Sequence, residues 1–277
     1  MTIATRDQLI NSLANNAERI VVDKASIANA VAGALYSLWR ATGTPGQGAI
    51  PSTAALCTKA LTGAFGFTNQ TNPATSYLAW LALACSNGAV TMEFHDRLAH
   101  MGGLSGTVTT AQTVNLDVSS AGVNVPSARL GDANFSDVQW WAEWYTDTGS
   151  TAVTATINVT YRDNSTGNLS LSLVATTRAS RLYNLNGLIP SADSGKFIKK
   201  INTVTLSATT GTAGSFGFTA TRLRAVCPLP VANKSEVFDW AALGLPEVPN
   251  DACLMMVQLC STTSTGTVRG GGKLANG

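Results

Sequence analysis

The chain has 277 residues, of which 45% are apolar and only 12% charged, and its net charge is +2. Soluble domains ordinarily carry about 25% charged residues, so Ser, Thr, Asn, Ala and Gly must form most of this exterior. The densest basic spot, Lys199–Lys200 with Lys196 just before it, falls short of the basic stripe of a nucleic-acid binder, and the most apolar stretch, Tyr77–Cys85, is too short to span a bilayer as a helix.

A surface poor in Lys and Glu loses little side-chain entropy and little ion hydration when another protein covers it. That favours a chain packed against neighbours. The N-terminus, MTIATRDQLINSL, has no basic segment followed by an apolar core, so no signal peptide is expected and the chain should fold in a cytoplasm. Five cysteines, an odd number with no C-x-x-C pair, read as buried free thiols rather than a disulfide framework or a metal knot.

Residues 5–43 read as helical. Thr5 and Gln8 have capping-box spacing, and Leu9, Ile10 and Leu13 follow on one face. Arg19–Val22 reads as a short extended link. A second helix is expected after Asp23, with Ile27, Val31, Leu35 and Leu38 on one side until Gly43 and Pro45 stop it. After the irregular loop Gly43–Pro51, a short helix is expected from Pro51 through Ala60.

From about residue 76 the apolar period changes from helical to alternating. Tyr77–Cys85 and Ala89–His95 read as a hairpin around Asn87–Gly88, a dipeptide that accepts the positive φ of a tight turn. Further strands are predicted at Thr113–Val118, Asp137–Thr146, Val153–Tyr161, around Leu169, Leu171 and Leu173, and at Ile201–Ala208 and Ser215–Thr221 as a pair about the Gly211–Gly214 turn. Residues 233–244 read as a helix, with Asn233 and Glu236 as a capping box and Gly244 at its end. Cys253–Cys260 reads as a strand covered on both faces, and Ser264–Gly266 turns into Thr267–Leu274.

Short strands with frequent turns predict a mainly β chain: an antiparallel β-sandwich or jelly-roll-like core, a helical N-terminal part and one short helix in the C-terminal half. The expected division is a helical arm or layer over 1–75 and a β-sandwich domain over 76–277.

Catalytic and metal signatures are missing. His95 and His100 are five residues apart, opposite faces on a strand and well apart on a helix, and no H-e-x-x-H order is present. The Gly-rich loop 43–51 lacks the ending of a phosphate cradle. The cluster Trp140, Trp141, Trp144 and Tyr145 could stack on sugars, with Asp137 and Glu143 as flanking carboxylates, or fill a sandwich core. The N-x-S/T triplets at Asn69, Asn134, Asn158, Asn164 and Asn168 read as products of a Thr-rich composition. Gly270–Gly272 reads as a flexible tail or a place of close backbone packing. No cofactor is expected.

Several stretches carry a resemblance: SLWRATGTPGQGAIPSTAA (37–55), HDRLAHMGGLSGTV (95–108), DVQWWAEWYTDTGSTAVTATINVTY (137–161), VTLSATTGTAGSFGFTATR (204–222), VFDWAALGLPEVPNDACL (237–254) and STGTVRGGGK (264–273). Through these the chain resembles uncharacterised virion structural proteins of tailed bacteriophages, in heads or tails. The resemblance implies no catalytic residue. It implies a non-enzymatic virion protein assembled in the host cytoplasm, most simply a head decoration or cement protein that clamps capsid subunits. A tail or baseplate component and a carbohydrate-binding receptor module are the alternatives, and a hydrolase is a third. The expected partners are the major capsid protein, or tail proteins, and further copies of the chain. No membrane and no direct nucleic-acid contact are expected. Trp39, Arg40, Arg97, Trp140, Trp141 and Trp144 are the candidate core or interface anchors. The helical N-terminus or the Gly-rich C-terminus could lie across a neighbour as an arm.

Overall fold

The computed structural model describes residues 3–72, 74–211 and 214–276. Two compact units are present: Met1–Ala49 with Thr58–Asp96 and Leu223–Gly277, and Ile50–Cys57 with Arg97–Arg222. Residues 50–57 therefore belong with the second unit, whereas the remainder of 1–75 belongs with the first.

The elements in chain order begin with helix α1 (Arg6–Asn11) and strands β1 (Glu18–Lys24), β2 (Leu35–Ser37), β3 (Gly43–Thr44) and β4 (Ala55–Leu56). There follow β5 (Thr75–Cys85), β6 (Val90–Ser105), β7 (Gln112–Asp117), α2 (Ser127–Leu130) and β8 (Gln139–Trp144). Next come β9 (Val153–Tyr161), β10 (Thr166–Leu173), β11 (Arg181–Asn184), β12 (Ile198–Leu206) and β13 (Ser215–Leu229). The chain ends with β14 (Glu236–Asp239), α3 (Trp240–Leu243), β15 (Glu247–Pro249), β16 (Leu254–Leu259) and β17 (Val268–Asn276). The fold is mainly β with antiparallel sheets, as the alternating pattern predicts. No helix among the described residues is long and apolar enough to cross a membrane.

In the first unit a sheet runs in the order β14-β5-β17-β1-β3, with β15 also on β5. A second group pairs β16 with β2 and with Thr91–Asp96 of β6. Alternation builds the core: Ile20 and Val22 of β1, Leu78, Leu81 and Leu83 of β5, and Met92 and Phe94 of β6 are buried in one cluster. The run Gly270–Gly272 lies in the middle of this sheet, between β5 and β1. A Cβ on Gly270, whose φ is +151°, would fall 2.0 Å from the Ala82 carbonyl oxygen. Close backbone packing is therefore the reason for the glycines, and this segment is not a tail or an arm free to lie across a neighbour.

The N-terminal capping box forms as expected: Gln8 N–H donates to Thr5 Oγ1 at 3.2 Å, and Thr5 N–H donates to Gln8 Oε1 at 3.1 Å. The helix is only six residues long and runs into a π turn at Ser12–Asn16. Leu9 packs on Ala79 and Ala275 of the same unit, so α1 is docked rather than extended.

The second expected helix does not form. Residues 18–24 are a full strand on β17, and 25–34 is irregular, with Asn29 and Gly33 at φ of 60° and 78°. The backbone there bonds a distant segment: Ile27 N–H donates to Thr265 Oγ1, Ala30 N–H to the Thr263 carbonyl and Gly33 N–H to the Cys260 carbonyl. These pairings outweigh a chance helical spacing of apolar residues. Pro51–Ala60 likewise holds the short strand β4 and no helix.

The hairpin expected at Asn87–Gly88 does not form either. β5 pairs with β17, and β6 pairs with β16. Asn87 Nδ2 donates to the Ser264 carbonyl at 2.8 Å, and Ala89 N–H donates to the Pro230 carbonyl at 3.0 Å. The turn is held by these outside segments, so its two strands separate. In 233–244 only Trp240–Leu243 is helical. Glu236 pairs with Lys234 at 3.0 Å instead of capping, and Asp239 caps by accepting from Ala241 and Ala242 N–H. Gly244, at φ 71°, ends the helix as expected.

In the second unit the sheet order is β10-β9-β12-β7. Strand β8 pairs with β11 and with Phe216–Thr221 of β13. The expected pairing of 201–208 with 215–221 does not occur, because β12 pairs with β9 and β7; part of the turn placed at Gly211–Gly214 lies outside the described residues. Ile157, Val159, Leu169, Leu171, Ile201 and Val204 share one core with Trp140, Trp144, Phe216 and Phe218. All five cysteines are free and buried, as their odd number and the missing C-x-x-C pair suggest.

Candidate functional site

Trp39 is buried, and its Nε1–H donates to the Ala49 carbonyl at 2.9 Å. Gly48 and Gly63 lie against the indole, so close that a Cβ on Gly48 would sit 2.1 Å from it. Arg40, half-buried, donates to the Gly48 carbonyl. The Gly-rich loop at 43–51 thus serves to cover an indole. Lys24 reaches the same loop: its buried ammonium donates to the carbonyls of Ala41, Pro45 and Gly46 at 3.0, 2.7 and 3.3 Å. Burial pushes its pKa down to about 8.

The other three predicted tryptophans are in the second unit and all buried. Trp140 Nε1–H donates to the Ile198 carbonyl at 2.9 Å, and Trp141 Nε1–H donates to Thr221 Oγ1 at 2.8 Å. Trp144 stacks on Phe216 with centroids 4.9 Å apart and an interplanar angle of 7°. None of these rings offers a face for a sugar. β8 is buried at nearly every position, which explains why aromatic residues occupy both sides of it.

Arg97 belongs to a buried charged cluster in this unit. Its NH2 lies 2.7 Å from Glu143 Oε2, and both side chains are wholly buried. The same carboxylate oxygen accepts from Thr219 Oγ1 at 2.7 Å and from the Tyr145 hydroxyl at 3.4 Å. Arg97 Nε–H donates to His100 Nδ1 at 3.1 Å. Arg129, also buried, donates to the Arg97 and Cys57 carbonyls at 3.0 and 2.7 Å. Burial, then the Glu143 charge, holds the Tyr145 hydroxyl far above its usual range. Burial opposes the Arg97 charge, but Glu143 and its neighbours more than offset it and raise the pKa. The donors converge on Oε2 of the carboxylate, which is the arrangement of a clamp.

Asp137, by contrast, is partly exposed and pairs with Arg222 at 3.0 Å. A glycosidase needs its two carboxylates flanking one accessible bond, and Glu143 has no access to solvent. In the first unit His95 Nε2 contacts Glu93 Oε2 at 2.8 Å, and Asp96 accepts from Cys253 N–H at 2.9 Å and from Arg224 at 3.3 Å. No group of three His, Cys, Asp or Glu among the described residues converges on a point where a metal could sit. Sequence reading missed Arg129, His100 and Arg224 as partners; for Arg224 the available signal was a charged residue within a largely apolar strand, whereas Arg129 stands on the short helix α2 and carried no such signal.

A surface cavity of about 310 Å³ is lined by Asn134, Arg162, Asp163, Gly195, Lys196 and Phe197. Its ammonium is already engaged: Lys196 is 2.9 Å from Asp193 and 3.7 Å from Asp163. Tyr161, hydrogen-bonded to Asp193 at 3.2 Å, is pushed up to about 12 by burial and then by that carboxylate.

The exterior of the β10-β9-β12-β7 sheet is more informative. Pleating turns Leu169, Leu171 and Leu173 inward and leaves Thr, Ser and Asn outside. Thr160 faces Thr166, Asn158 faces Asn168, Thr156 faces Ser170 and Thr154 faces Ser172. Asn158 Nδ2 donates to Asn168 Oδ1 at 2.8 Å, and Asn202 Nδ2 donates to Asn158 Oδ1 at 2.9 Å. These side-chain amide bonds tie three strands together.

No family model matches the chain, and no curated protein matches it. Among solved structures it is similar to the VP2 subviral particle of infectious bursal disease virus, at 11% identity and a TM-score of 0.20 over 94% of this chain and 80% of that chain. It is also similar to T=1 particles derived from infectious bursal virus, at 10% identity and a TM-score of 0.20 over 94% of this chain and 77% of that one. A likeness this shallow establishes no shared fold and carries no functional conclusion.

Proposed function

We propose that the chain is a non-enzymatic structural component of a virus particle, and specifically a head decoration or cement protein of a tailed bacteriophage. It would be assembled in the host cytoplasm and would clamp adjacent copies of a major capsid protein. The observation that supports this is where the charge lies. Of only 18 Lys or Arg and 16 Asp or Glu, the side chains of Lys24, Asp96, Arg97, Asp117, Arg129, Glu143 and Arg224 are buried. Globular chains ordinarily keep such residues outside. Here seven of these charged side chains are buried, while Thr, Ser and Asn face outward from strands β9 and β10.

An exterior of that kind has few long side chains to immobilise and few ions to desolvate on contact. Ordered strands present it on a rigid surface, which suits a clamp between subunits. Trp39, Trp140, Trp141 and Trp144 would then act from within, by stiffening that surface, and Arg97 by pinning β6 to β8.

The test is the position and copy number of the chain in purified particles. Antibody labelling over the head, with many copies per shell, is the expected result. Label confined to the tail would replace the decoration reading with the tail component. Absence from particles, together with turnover of a glycan panel, would overturn the structural reading altogether.

A further inference from the structure

The strands at the sheet edges differ in how they are protected. An exposed edge is a template for another strand, and soluble proteins blunt it with charge, proline, a bulge or shortness. β3 and β4 are two residues each, and β14 is four residues with Glu236 and Asp239 at its ends. β7 ends on Asp117 and is paired through a register shift.

β10 has none of these defences. It is eight residues long, TGNLSLSL, with no charge and no proline. Its pairing with β9 runs without a bulge from Thr166 to Leu173. Among the described residues, its only hydrogen-bonded partner is β9. Its other edge therefore carries unpaired backbone N–H and C=O groups.

We infer that β10 pairs antiparallel with β10 of a second copy, joining two four-stranded sheets into one continuous sheet across a two-fold axis. A second copy is the occupant the strand fits. In a two-fold pairing centred on Ser170, Ser170 meets its own mate, Leu169 meets Leu171 and Asn168 meets Ser172. Residues directly opposite in an antiparallel pair share a face, so Leu169 meets Leu171, Leu173 meets Gly167, and Asn168, Ser170 and Ser172 meet only polar residues. An isologous contact sets any charged residue near its own like charge, and this strand has none to repel. The Asn168–Asn158–Asn202 ladder then continues on both sides of the seam. The inference depends on the edge alone and stands whether or not the chain is a particle component.

Sedimentation velocity across a concentration series tests it, with Ser170→Lys and Thr156→Lys compared. Both positions are exposed on the same face, but Thr156 is one strand in from the edge. The unmodified chain is expected to dimerise, Ser170→Lys to weaken dimerisation roughly tenfold or more through lysines set opposite one another, and Thr156→Lys to leave it unchanged. Hydrogen exchange on the unmodified chain supplies the second readout: the amides of 166–173 that β9 does not hold should gain protection as concentration rises. A monomer at every attainable concentration, a dimer indifferent to Ser170→Lys, one equally weakened by Thr156→Lys, or exchange in 166–173 independent of concentration would each overturn the pairing.

Discussion

Arg97 and Glu143 meet at 2.7 Å with neither side chain reaching solvent. One carboxylate oxygen gathers the guanidinium, the Thr219 hydroxyl and the Tyr145 hydroxyl. An ion pair so placed adds little net stability over a well-packed apolar pair, yet it is costly to break, because the survivor is left charged and buried.

Glu143→Ala is accordingly expected to destabilise the protein by about 3–5 kcal/mol, whereas Arg97→Met combined with Glu143→Leu should recover much of that loss. Denaturant titration of Arg97→Met, of Glu143→Leu and of the double variant measures the coupling. Additive effects of the two substitutions would show that the pair does not act as a unit.

Lys24 makes stability depend on alkaline pH. Its pKa is about 8 in the folded chain against an ordinary 10.5. Between those values the unfolded chain binds more protons, so stability rises as pH rises from about 8 to 10.5 and the burial penalty is fully present below that window. The neutral amine still donates to two of the three carbonyls that the ammonium holds. The gain is on the order of a few kcal/mol at most. The stability difference between the native chain and Lys24→Met, followed by urea titration across that range, should widen in favour of the native chain with rising pH. A constant difference would show that Lys24 is not the group responsible.

Gly48→Ala should disturb the loop over Trp39. The added Cβ would stand 2.1 Å from the indole, so ring or loop must move, at a cost of about 1–3 kcal/mol. A matching blue-to-red shift in tryptophan fluorescence and a lower Tm are the expected readouts. Gly66→Ala is the control, because a Cβ there meets no atom within 4 Å.

The legible part of the fold was the alternation of apolar and polar residues. Val153–Tyr161 could be placed to the residue because each Val, Ile and Tyr faces one core while Thr and Asn face water, and the local pattern alone decides that. The capping box of Thr5 and Gln8 and the stop at Gly244 were legible for the same reason: each is satisfied within a few residues. The helix expected after Asp23, the hairpin at Asn87–Gly88 and the helix at 233–244 were misread because their backbone partners lie elsewhere: 260–265 for the first, Ser264 and Pro230 for the second, and β5 for Glu236–Asp239. Of the candidate anchors, Trp140, Trp141 and Trp144 carried a visible cue for burial in their aromatic neighbours. Arg97 carried none for its partner, since Glu143 stands 46 positions away.

Composition and short-range periodicity by themselves determined that this protein is mainly β, poor in charge, and equipped with free buried thiols, because those properties follow from counting residues and from the two-residue repeat of a strand. Only the tertiary structure decided which strands pair, that the glycines at 270–272 sit between two strands, that seven charged side chains are buried, and that β10 is left with an open edge. Pairing is a competition among all strands for the same backbone hydrogen bonds, and its outcome depends on contacts between segments up to some 250 positions apart, such as β1 with β17, which no local pattern encodes.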